Sequence, residues 1–141
     1  MFRIALGVRA AHLAIVLHSP VGETIVLDSK YYDGAARVPS GTAQPSIGTG
    51  ASFMNVGYVY WLSIVYFITG PNVAAALWIQ VVLGALVAAA LVGIGALLLE
   101  SRLAGATAGL IYAFYRSGVF YDGLLLTPSL CNAAIAAALL A

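Results

Sequence analysis

Between Arg37 and Glu100 the chain carries no Asp, Glu, Lys or Arg. A water-soluble domain cannot hide so long an uncharged interval in a core built from this little chain, because its folded surface needs charge about once every four residues. The remainder of the 141 residues agrees: 8% are charged, 62% are hydrophobic, and the mean hydropathy is +1.00. These values predict an all-α membrane protein, since a backbone in lipid must satisfy its hydrogen bonds within the segment. A net charge of +1 without a basic run excludes nucleic acid as a partner and leaves membrane lipid and other membrane segments.

A span needs ~20 mostly apolar residues. The pattern predicts about four transmembrane helices, at about 3–18, 73–99, 103–119 and 124–141, with about 19–72 as one extracytoplasmic loop. The basic start and apolar middle of the N-terminus resemble a leader. No convincing small-residue cleavage site follows Leu17, so an uncleaved first span is expected. Phe53 to Ile68, FMNVGYVYWLSIVYFI, is short and rich in tyrosine, which suits a helix lying at the headgroup level. Pro39 to Ser52 reads as a loop. Glu100, Ser101 and Arg102 form a polar turn, and the small residues of AGATAGL after it predict close helix contact. The single Cys131 reads as a packing residue. His12 and His18 are spaced wrongly for a metal pair on one helix face, and no zinc, P-loop, dinucleotide or catalytic-triad motif occurs.

The stretch LDSKYYDGAAR is the polar exception. It predicts a short helix over Ser29 to Val38, capped by Asp28 or Ser29, with Asp33 and Arg37 paired at i, i+4 and Pro39 as its stop. Two acids stand at the ends of predicted spans with tyrosines nearby, Asp28 in LDSKYY and Asp122 in FYDGLLL. A carboxylate at a membrane edge suggests function, although helix capping fits Asp28 equally and a turn role fits Asp122. If 53–68 does not cross, both acids lie on one face. Arg3, Arg9 and Arg102 then put that face outside by the positive-inside rule.

LDSKYYDGAARVPSG, then FMNVGYVYWLSIVYFITGPN, then WIQVVLGALVAAALVGIGALLLESRLAGATAGLIYAFYRSGVFYDGLLLTPSL, resembles the N-terminal part of bacterial fold-C membrane glycosyltransferases. These include protein O-mannosyltransferases and aminoarabinose transferases. The resemblance implies transfer of a sugar from a polyprenyl-phosphate donor to a glycan, lipid or protein acceptor, at the extracytoplasmic face of the plasma (inner) membrane. It implies Asp28 and Asp122 as catalytic acids, with Lys30, Tyr31, Tyr32 and Arg37 binding substrate. It implies no organic cofactor and leaves a divalent cation at the carboxylates open. Ser29 stands where the family usually has a second acid, and 53–62 lacks the family's prolines. Family members are several times longer, so the chain is expected to be a partial, truncated member that is inactive alone. The alternative is a non-enzymatic small membrane subunit or a transporter fragment.

Overall fold

A computed structural model describes residues 1–19, 28–41 and 55–141. The described residues are all-helical: α1 (Phe2–Leu17), α2 (Asp28–Arg37), α3 (Val56–Thr69), α4 (Val73–Leu98), α5 (Arg102–Ala113), α6 (Arg116–Asp122) and α7 (Pro128–Leu140). Most of the predicted loop from Pro39 to Ser52 lies outside them, as does Phe53.

The later part of the uncharged interval becomes α4, whose 26 residues extend ~39 Å at 1.5 Å per residue. Among the described residues it is the one helix both long and apolar enough to cross a membrane, with a peak mean hydropathy of 2.7. Only 33% of that apolar window is buried inside the protein. A core helix of a soluble protein would be mostly buried, so the outward apolar surface of α4 is suited to lipid. Phe67, Ile68, Leu98 and Leu103 likewise expose most of their side chains.

α4 is the centre of the fold. It packs chiefly on α5, α1 and α7, and more lightly on α6 and α3, while α2 lies on α3. Asn72 starts α4 by accepting a hydrogen bond from the Ala75 amide at 3.2 Å, just after Gly70 turns the chain out of α3 with φ 73°. Ser101 caps α5 in the same way through the Ala104 amide at 3.3 Å, as the polar turn predicts. The small residues of α5 meet α4 at backbone distance. A Cβ on Gly105 would stand 2.2 Å from the Val92 carbonyl, and one on Gly109 would stand 2.8 Å from that of Ala88. Close approach of this kind is what holds helices together where lipid supplies no hydrophobic drive.

Three expectations change. The segment 103–119 is not one helix: it breaks after Ala113 and restarts at Arg116 around an extended Tyr115 (φ −64°, ψ 105°). The last helix starts at Pro128 rather than near 124, because proline suits a first helical turn and Gly123 ends α6. Cys131 is exposed on α7 instead of packed inside.

Candidate functional site

α1 is an apolar helix with one arginine in its middle, and Arg9 is fully buried. Removing a guanidinium from water costs several kcal/mol unless each donor finds an acceptor. The break in the α5–α6 segment supplies those acceptors. A helix end leaves carbonyls without partners and carries the negative end of the helix dipole. Arg9 donates from Nη1 to the Ala113 carbonyl at 3.2 Å and from Nη2 to the Tyr112 carbonyl at 3.3 Å, and lies over the Tyr112 ring at 5.0 Å. Its Nε donates to Asp122 Oδ2 at 2.7 Å, which is also the ion pair. Irregular backbone closed off from water must have its polar atoms taken up by protein groups, and Arg9 does so here.

Asp122 has no open side. Its Oδ1 accepts the Ser129 hydroxyl at 2.6 Å, tying α6 to α7. Gln80 of α4 donates from Nε2 to the Leu124 carbonyl at 2.7 Å and to that of Asp122 at 3.4 Å, and its Oε1 accepts the Tyr58 hydroxyl. Gly84 makes the room: a Cβ there would stand 2.1 Å from Asp122 Oδ2 and 2.6 Å from Arg9 Nε. Arg9, Gln80, Gly84, Asp122 and Ser129 thus form a closed polar layer across α1, α4, α6 and α7.

A second polar cluster organises α2. The predicted i, i+4 pair forms, with Arg37 Nε and Nη2 donating to the two carboxylate oxygens of Asp33 at 3.0 and 3.1 Å. Tyr66 of α3 donates to Asp33 Oδ1 at 2.6 Å. Burial, and then the hydrogen bond to Asp33, push the Tyr66 phenol well above its ordinary pKa. The hydrogen bonds that Arg37 itself donates to Asp33 raise the pKa of Arg37. The buried Tyr32 sets its ring edge-on to Tyr58 at 4.8 Å, and its hydroxyl meets that of Thr127 at 3.1 Å.

The residues singled out from the sequence therefore separate. Asp28 is exposed in the first turn of α2, inside the helix rather than capping it, and Lys30 is exposed nearby. Tyr31 is half-buried against Tyr32 at 5.9 Å, and Arg37 is bound to Asp33. Asp122 is enclosed by Arg9, Ser129 and Gly84 and is not joined to Asp28. The Tyr32–Thr127 contact nevertheless brings α2 against the turn that follows Asp122, at one end of the helix bundle. Arg9 sits inside the protein, so its charge is no guide to topology. Sequence reasoning missed it as a site residue, along with Gln80, Gly84 and Ser129. An arginine in mid-helix among apolar residues was the signal for the first. No group of three or more His, Cys, Asp or Glu that could hold a metal occurs among the described residues.

Comparison with protein-family models, curated proteins and solved structures finds no match to this chain.

Proposed function

We propose that the chain is part of an integral-membrane glycosyltransferase that moves a sugar from a polyprenyl-phosphate donor to an extracytoplasmic acceptor, with Asp28 as the catalytic carboxylate. One observation carries this reading: of Asp28 and Asp122, Asp28 alone is exposed, on a short helix tied down from both sides. Tyr66 holds that helix through Asp33, and Thr127 holds it through Tyr32. A base must reach both acceptor and donor, and a helix anchored to its neighbours keeps it in place.

In this reading four segments cross the bilayer, the broken α5–α6 among them, and α2 and α3 lie at the outer headgroup level. Asp28 takes the proton of an acceptor hydroxyl as that oxygen bonds to the anomeric carbon. The bond from that carbon to the phosphate oxygen breaks, and the lipid phosphate leaves with the electron pair. Lys30 stands two residues away to balance the developing phosphate charge. Asp122 is a positioning residue, acting through Arg9 and Ser129 to hold the turn on which α2 rests.

Asp28→Asn introduced at the native locus tests this. Membranes from such cells should transfer labelled sugar from polyprenyl phosphate at least ~100-fold more slowly, at unchanged protein level. Wild-type transfer by the variant would end the assignment. The completeness of the Arg9–Asp122 layer favours a second reading, a non-enzymatic membrane subunit, for which Asp28→Asn changes nothing and wild-type membranes show no transfer dependent on this chain.

A further inference from the structure

Beside the break between α5 and α6 lies a cleft of about 400 Å³. It is lined by Val8 and His12 of α1 and by Phe114, Arg116, Val119 and Phe120. Its one permanently charged lining group is cationic. Arg116 is exposed and forms no ion pair among the described residues, where the acids that do pair are already taken, Asp122 by Arg9 and Asp33 by Arg37. His12 also lines the cleft, and its Nε2 is the one buried side-chain polar atom without a hydrogen-bond partner among the described residues. A buried polar atom left unpaired calls for a partner. The walls and rim are apolar and outward-facing: Phe114, Tyr115 and Phe120 are each about half exposed or more.

A lone arginine on an apolar flank is costly unless it reaches an anion. Arg116 opens α6 beside the break, where a long cationic side chain can keep its apolar stem on the cleft wall while its head meets phosphate. The guanidinium fork matches phosphate oxygens in pairs.

We propose that this cleft seats the phosphate of an anionic membrane lipid, with Arg116 as counter-charge, His12 as a second hydrogen-bonding group, and Phe114 and Phe120 against the lipid chains. The apolar rim is what favours a lipid over free phosphate. The inference does not rest on sugar transfer.

The test is lipid titration of the purified chain in neutral detergent, read by native mass spectrometry. The probes are phosphatidylglycerol, diacylglycerol with the same acyl chains, and inorganic phosphate. Phosphatidylglycerol should bind, diacylglycerol should not, and Arg116→Gln should weaken binding ~10-fold or more. Arg116→Lys should keep part of the affinity. Arg102→Gln, another exposed arginine, should leave it unchanged. Circular dichroism on each variant separates lost binding from lost fold, and His12→Phe, which keeps a ring in the cleft, should weaken binding independently of Arg116. Equal binding of diacylglycerol, wild-type affinity in Arg116→Gln, or an equal loss in Arg102→Gln overturns the proposal. Displacement of phosphatidylglycerol by equimolar inorganic phosphate assigns the site to free phosphate and overturns the lipid assignment.

Discussion

Arg9–Asp122 and Arg37–Asp33 join the same two residue types at 2.7 and 3.0 Å, but the first pair has side chains 0% and 3% exposed and the second 31% and 13%. The second pair is part-buried and lies within one helix at i, i+4, where Arg37 keeps part of its hydration; solvated pairs at that spacing are worth ~0.3–0.5 kcal/mol. The buried pair crosses from α1 to the end of α6. There each charge depends on the other, and removing one leaves an uncompensated ion at a cost of ~3–5 kcal/mol. The comparison teaches that the strength of dependence follows enclosure rather than distance. Each carboxylate takes one hydroxyl, Ser129 for Asp122 and Tyr66 for Asp33, and the enclosed pair also needs the space that Gly84 leaves.

The contrast is broken most directly by Arg9→Met. This should lower stability by ~3–5 kcal/mol in thermal unfolding in micelles, because Asp122 and the Tyr112 and Ala113 carbonyls lose their donor together. Adding Asp122→Leu should restore part of the loss, since an apolar pair removes the stranded charge. A cost below ~1 kcal/mol for Arg9→Met would mean that the pair does not hold the break. Gly84→Ala should cost ~1–3 kcal/mol by pushing a methyl into Asp122. Gly7→Ala, with nothing within 4 Å of the added Cβ, should be neutral or slightly stabilising.

At the part-buried pair, Tyr66→Phe should cost ~1–2 kcal/mol, the share of a hydrogen bond to a charged group. It should also change the alkaline response. Because folding raises the Tyr66 pKa, the stabilisation is complete below ~10, the ordinary value for tyrosine, and is lost as pH rises from there toward the folded value. The Phe variant should therefore lose stability less steeply above pH ~10, by up to ~1.4 kcal/mol per pH unit. An identical slope would show that Tyr66 ionises alike in both states. Arg37→Gln should cost less again, under ~1 kcal/mol and less in high salt, whereas the Arg9→Met loss should be nearly independent of salt.

The sequence by itself determined the helical class, the long apolar helix, the Asp33–Arg37 pair, the polar turn at Ser101 and the close approach of α5 to α4. Each is a local or periodic property: charge-free length, i, i+4 spacing, a capping hydroxyl, glycines four apart. Only the tertiary structure decided the break at Phe114 and Tyr115, the enclosure of Asp122 and the role of Arg9. Within 103–119 hydropathy falls only at Arg116 and Ser117, too short a dip to tell a helix break from a polar residue inside a continuous span. What makes the break stable is a guanidinium delivered by another helix, from a residue 113 positions away from its carboxylate partner. Bringing such partners together depends on how α1, α4, α6 and α7 pack. The space that admits them exists because Gly84 has no side chain, a fact whose meaning appears only when Asp122 and Arg9 lie against it.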